Sequence, residues 1–151
     1  SLDMPNTVVS ACDISPEALL IARDNAIRLG AAVNFQLKDA LQLAATEETF
    51  DIIVSNPPYI CDSERTEMMQ NVLDHEPPTA LFVPDDDPLR FYRAIAEYGT
   101  TALSHGGELY FEINDRFADE VSAILNALGY AGTEVRTDQF GKQRFVKTMR
   151  A

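Results

Sequence analysis

The chain has 151 residues, 46% hydrophobic and 24% charged, with 12 Lys and Arg against 24 Asp and Glu and a formal net charge of −12. That length makes one domain with a real core, and the acidic balance, with no basic run, weighs against DNA or RNA as substrate because phosphate contacts need Lys and Arg. No apolar run reaches the roughly 18 residues of a membrane span, and no signal-like segment opens the chain.

Ser1 to Asn6 ends in a Pro5-Asn6 turn. Thr7 to Cys12 has a strand pattern, with Asp13 at its C-terminal end. Ser15-Pro16 starts a helix, Ser15 as cap and Pro16 in the first turn. Ala18, Leu19, Ala22, Ala26 and Leu29 share one face of it, and Gly30 ends it. Val33 to Leu37 is the next strand, followed by Asp39; Ala40 to Glu48 is a connection without a clear pattern. Phe50 to Val54 is a short β-branched run and predicts a buried strand. Cys61 to Leu73 reads as a loop leading into a short helix, and the Pro- and Asp-rich stretch from Asp74 to Asp87 as ordered loop. Pro88 to Leu103 is a helix with Leu89, Tyr92, Ile95 and Ala96 on one face. Gly106-Gly107 is a turn, Glu108 to Ile113 a strand, and Phe117 to Leu128 an amphipathic helix ended by Gly129. Thr133 to Thr137 and Arg144 to Thr148 are two last strands around a turn at Gly141. Strands alternating with helices predict an α/β domain over 1–151, with a mostly parallel sheet, helices on both faces and one antiparallel strand near the C-terminus.

The chemistry concentrates where Phe50 to Val54 runs into Ser55-Asn56-Pro57-Pro58-Tyr59. Two prolines stiffen a loop at the C-terminal end of a strand, the edge where open α/β sheets bind ligands. Pro57 and Pro58 lack N–H groups and leave carbonyls free to accept. Asn56 adds an amide, and Tyr59 a flat ring with a hydroxyl. Together they suit a planar group bearing an NH2, held by acceptors and stacked on a ring. Asn-Pro-Pro also serves as a plain turn between elements. Cys12 and Cys61 do not make a disulfide framework and read as reduced thiols of a cytoplasmic protein; no metal motif is visible.

Asn-Pro-Pro-Tyr after a strand resembles the amino-methyltransferases that use S-adenosylmethionine. The wider set resembles the release-factor glutamine methyltransferases, the HemK/PrmC family: Ala11-Cys12-Asp13-Ile14-Ser15, Ile53 to Ile60, Glu76-Pro77 with Ala80-Leu81, Phe91-Tyr92-Arg93, Gly106-Gly107, Glu112-Ile113, and Gly141 to Val146. The resemblance implies a Rossmann-like methyltransferase sheet and a cytoplasmic enzyme. It also implies S-adenosylmethionine as methyl donor and peptide-chain release factors as partners, methylated on the glutamine of a Gly-Gly-Gln segment. The family's glycine-rich loop, between its first strand and first helix, has no counterpart here, since Gly30 is the first glycine. By its motifs the chain begins near the end of that first helix, an N-terminally truncated catalytic domain without the first strand or the family's helical N-terminal domain.

Asn56 and Pro57 are expected to hold the substrate amide, with Pro58 and Tyr59 completing the pocket and Tyr59 against the amide plane; Asn56, Pro57 and Tyr59 are the catalytic candidates. Asp13, at a strand end, suits ribose hydroxyls, or else a solvated turn. The resemblance puts Asp39 and Ala40 beside the adenine ring, where the family often has an aromatic residue in place of Ala40, and Asn56 near the donor as well. Glu76-Pro77 and Glu112 read as structural residues at the same edge, His75 as a surface or packing residue, and the aromatics of Phe91-Tyr92-Arg93 as core. Two other readings stay open: an adenine-N6 nucleic-acid methyltransferase, since adenine presents a similar amino group, and an inactive fragment unable to bind the donor.

Overall fold

The computed structural model describes residue 4, residues 6–67 and residues 77–151. The readings of His75 and Glu76 lie outside the described residues; of Cys61 to Leu73, expected as a loop leading into a short helix, Asp62–Glu67 forms a 3₁₀ helix and residues 68–73 lie outside them. The chain divides into two compact units, Ser1–Leu43 and Ala44–Ala151.

In the first unit, β1 (Val9–Asp13) leads into α1 (Pro16–Leu29), which returns to β2 (Val33–Leu37), parallel to β1. The helix borders follow from local chemistry. Ser15 Oγ accepts from the Ala18 N–H at 3.1 Å, and Pro16 opens the first turn, where its missing N–H costs nothing. At the far end Gly30 takes φ 66°, its N–H reaching the Ile27 carbonyl while the Ala31 N–H reaches that of Ala26. These paired bonds satisfy carbonyls that the helix end leaves open. A 3₁₀ turn, Ala40–Gln42, follows β2.

The second unit contains a four-stranded sheet in the order β3-β6-β8-β7, formed by β3 (Phe50–Ser55), β6 (Leu103–Glu112), β7 (Tyr130–Thr137) and β8 (Gln143–Arg150). β3 and β6 are parallel, and β8 runs antiparallel to both its neighbours, β6 and β7. That is the antiparallel C-terminal strand expected from the sequence. A smaller parallel ladder joins β4 (Ile60–Cys61) to β5 (Phe82–Val83). Three helices complete the unit: α2 (Pro78–Leu81), α3 (Arg90–Ala102) and α4 (Ala118–Ala127).

Period-two alternation along β6 buries Leu103, Leu109 and Phe111, with Ile113 just beyond the strand; the register places Val146 and Thr148 of β8 on the same face. α3 contributes Tyr92, Ile95, Ala96, Gly99 and Ala102 to the core, and α4 contributes Ala118, Val121 and Leu125. Tyr92 meets Phe111 edge-on, ring centroids 5.3 Å apart. On the opposite face Ile52, Val54, Phe145 and Met149 stay exposed among the described residues. In this unit α3 and α4 therefore pack on one face, where the sequence predicted helices on both.

Two further expectations change. Gly106-Gly107 does not precede the strand; β6 runs through it, and an advance of two residues on β3 matches five on β6 between the Phe50–Leu103 and Ile52–Glu108 rungs. Gly106 takes φ 79°, and a Cβ on Gly107 would lie 2.9 Å from the Ser104 carbonyl oxygen, so glycine makes this bulge possible. The stretch 74–87 is also not all loop. Pro78 opens the single turn of α2, and Phe82 and Val83, an aromatic and a β-branched residue, extend to pair with Ile60 and Cys61. No helix among the described residues is long and apolar enough to cross a membrane.

Candidate active site

β3 delivers the loop. Ile53 and Ser55 lie in register with Leu109 and Phe111 on the packed face, so the strand's end is fixed where Asn56 begins. Pro57 is buried, Pro58 and Tyr59 are half-buried, and Asn56 is exposed. Immediately after Tyr59 the chain is caught again by the β4–β5 ladder. The Ser63 backbone and hydroxyl both donate to Asp85 Oδ1, at 3.2 and 2.7 Å, tying the end of that ladder. A segment with two prolines, anchored on both sides, has little conformational freedom left to lose.

Tyr59 is held at two points. Its hydroxyl donates to Glu112 Oε1 at 2.8 Å, and its carbonyl accepts from Asn114 Nδ2 at 3.1 Å. Burial pushes the phenol up to about 12, and the bond to Glu112 adds to the shift, so Tyr59 keeps its proton at neutral pH. Asn114, only 5% exposed, also donates to Glu64 Oε2 at 3.1 Å, and its Oδ1 accepts from the Arg116 N–H. Glu64 Oε2 accepts from the Cys61 N–H, and Arg116 approaches Glu64 Oε1 at 3.3 Å. Burial and Glu64 raise the Cys61 thiol, which leaves it a packing group and not a nucleophile. Among the described residues, no hydrogen bond engages the Asn56 side chain or the Pro57 carbonyl.

In the first unit, parallel pairing in the register Asp13–Leu37 puts Asp13 and Asp39 at one edge of the β1–β2 pair. Asp13 Oδ1 accepts from the Ser15 N–H at 2.8 Å, and no partner engages Oδ2 among the described residues. Both Asp39 oxygens accept within its own turn: Oδ1 from the Leu41 N–H and Oδ2 from Gln42 Nε2, both at 2.8 Å. It caps the 3₁₀ turn that Ala40 begins.

The expected residues thus form two groups, Asn56 to Tyr59 in one unit and Asp13, Asp39 and Ala40 in the other. Sequence reasoning missed Asn114 and Glu64. Asn114 carries a visible signal: it stands two residues beyond Glu112, just past the strand end, where a short amide side chain caps the following turn, here the 3₁₀ turn Asp115–Phe117.

Comparison with known proteins now bears on the assignment. Residues 2–78, just over half the chain, match the family described as "Methyltransferase domain". The chain belongs to that family. It is 49% identical over 153 aligned residues to a release factor glutamine methyltransferase of Bacteroides thetaiotaomicron, covering 99% of this chain and 55% of that protein. The chain therefore spans about half the length of the curated relatives it matches. Among solved structures it superposes on a methyltransferase from Pyrococcus furiosus with a TM-score of 0.69 at 18% identity, over 99% of this chain and 68% of that one. It also superposes on the Synechocystis magnesium protoporphyrin IX methyltransferase with bound S-adenosylmethionine, with a TM-score of 0.58 at 18% identity, over 99% and 62%. These likenesses establish the Rossmann-like α/β methyltransferase fold.

Proposed function

We propose that this chain is the catalytic part of a cytoplasmic protein-glutamine methyltransferase. Its substrate is the glutamine side-chain nitrogen in the Gly-Gly-Gln segment of peptide-chain release factors, and its methyl donor is S-adenosylmethionine. The observation that carries the reading is the loop Asn56 to Tyr59. It sits at the C-terminal end of β3, with the Asn56 amide and the Pro57 carbonyl unengaged among the described residues and the Tyr59 ring held in place. The 49% identity to a named release factor glutamine methyltransferase supports the substrate class.

The residues fit a donor in part. Asp13 presents a carboxylate oxygen at a strand end that no partner engages among the described residues, suited to ribose hydroxyls, whereas each Asp39 oxygen already accepts one bond from its own turn. Asp13 would therefore hold the ribose, and the turn that Asp39 caps, starting at Ala40, would border the adenine. Both units belong to one methyltransferase domain in this reading. When bound, S-adenosylmethionine supplies an electrophilic methyl group on a sulfonium centre.

The protein's own work is at the acceptor. An amide nitrogen is a poor nucleophile because its lone pair is delocalised into the carbonyl. Asn56 Oδ1 and the Pro57 carbonyl accept its two N–H bonds, which raises electron density on nitrogen and fixes its direction. Positioning of this kind supplies roughly 7–11 kcal/mol of a barrier. The Tyr59 ring lies against the amide plane. The Tyr59 hydroxyl stays protonated and hydrogen-bonded to Glu112, so it is no base for the nitrogen, whose proton leaves to solvent after transfer.

The test is methyl transfer to a Gly-Gly-Gln peptide compared with a Gly-Gly-Glu peptide, which has no acceptor nitrogen in its side chain. Transfer to the first alone is expected. Equal labelling of both peptides, away from that side chain, would refute the assignment.

A further inference from the structure

We propose that Glu112 and Asn114 are positioning residues of the acceptor loop: they hold Tyr59 by its hydroxyl and its carbonyl, so that Tyr59 serves through its ring face and takes no part in proton transfer. The proposal rests on the acceptor-loop reading above and extends it to residues outside the loop.

The geometry is a short relay at the end of β6. Glu112 is the last residue of that strand, and its register with Phe145 of β8 fixes its backbone from one side. Its carbonyl accepts from the Tyr92 hydroxyl at 3.3 Å, and Tyr92 is 1% exposed and wedged against Phe111. The Asn114 N–H reaches the same hydroxyl at 3.4 Å. The backbone carrying Glu112 and Asn114 is therefore braced by a core tyrosine, and their side chains are the pieces that reach out. Glu112 Oε1 takes the Tyr59 hydroxyl and Asn114 Nδ2 takes the Tyr59 carbonyl. Glu64 and the Arg116 N–H satisfy the rest of the Asn114 amide, which fixes which end of that amide faces Tyr59. A phenol whose single proton is already donated to a carboxylate has none to give a substrate. A ring fixed through its hydroxyl and its own backbone cannot swing away from the loop.

The experiment compares wild type, Glu112→Gln, Glu112→Ala, Tyr59→Phe and the double variant Glu112→Ala with Tyr59→Phe, using methylation of a Gly-Gly-Gln peptide and proton NMR of the Tyr59 hydroxyl. That resonance is identified by its loss in Tyr59→Phe. It should persist in Glu112→Gln, whose side-chain oxygen still accepts, and vanish in Glu112→Ala. Glu112→Ala should lower kcat roughly tenfold or more with less change in KM, as misplacement of a reacting group does. Glu112→Gln should recover most of that loss. The double variant should be no worse than Glu112→Ala alone, because both changes remove one shared bond. A Tyr59 hydroxyl signal that survives in Glu112→Ala, additive losses in the double variant, or Glu112→Gln as damaged as Glu112→Ala would overturn the proposal. A wild type that leaves the peptide unmethylated would refute the substrate assignment instead, and the hydroxyl signal would still decide the tether.

Discussion

Asn56 and Tyr59 do different work, and single substitutions separate them. Asn56 is exposed and its side chain has no hydrogen-bond partner among the described residues, so Asn56→Ala should leave the thermal midpoint close to wild type while lowering kcat on the order of 10²-fold, as loss of one preorganised polar contact does elsewhere. Steady-state kinetics beside a thermal melt read both quantities. Tyr59 is coupled to stability through its proton. Its phenol titrates at 10 in the unfolded chain and at about 12 when folded, so the folded state binds the proton more tightly. The resulting stabilisation is complete below pH 10 and fades as pH rises through about 12. Urea midpoints of wild type and Tyr59→Phe, compared across that window, should converge at the alkaline end. The proposed donor site uses Asp13. Asp13→Ala should weaken S-adenosylmethionine binding roughly 10- to 150-fold, the equivalent of losing one charge-assisted hydrogen bond of roughly 1.5–3 kcal/mol. Calorimetric titration measures this directly, and unchanged affinity would remove Asp13 from the donor site.

At the scale of elements, the borders that local chemistry sets were readable in advance. Ser15, Pro16 and Gly30 bracket α1 because a cap, a first-turn proline and a left-handed glycine each act within a few residues. Val33 to Leu37 was legible for the same reason. What failed was set by distant partners. β6 was expected to begin after Gly106-Gly107, yet Leu103 is already paired with Phe50, and nothing near Leu103 in sequence announces that rung. The β4–β5 ladder was missed likewise, since two-residue strands gain their order only from each other. Gly99 shows how far a distant contact decides a residue inside a helix. Its missing Cβ leaves room for the Tyr130 hydroxyl, which donates to the Ala96 carbonyl at 2.7 Å, and an added Cβ would sit 2.3 Å from that oxygen. Alanine is the better helix former by roughly 0.8–1.0 kcal/mol, but forcing Tyr130 aside costs about 1–3 kcal/mol, and packing wins. Gly99→Ala should therefore lower stability in chemical denaturation; a stabilised variant would show that Tyr130 moves freely.

For the molecule as a whole, the acidic balance of 24 Asp and Glu against 12 Lys and Arg disfavours a polyphosphate substrate. The loop Asn56 to Tyr59 could be proposed from the sequence because its four residues are contiguous and each has a stated chemistry. Its Asn114 brace could not, because Asn114 lies more than fifty residues from Tyr59 and meets it only once β3 and β6 pair, whereas Glu112 was read as a structural residue at the same edge. Asp39, read as a donor contact, also caps its own turn through both carboxylate oxygens, a local role the sequence reading did not include. Peptide mapping is the decisive experiment for the proposed methylation of a glutamine amide at the loop that ends β3. The protein is incubated with S-adenosylmethionine and intact release factor, in parallel with adenine-containing duplex DNA. The account predicts one added methyl group on the glutamine of the Gly-Gly-Gln segment, none on the DNA, and loss of the modification with Asn56→Ala. Methyl groups on adenine with an unmodified release factor would contradict it.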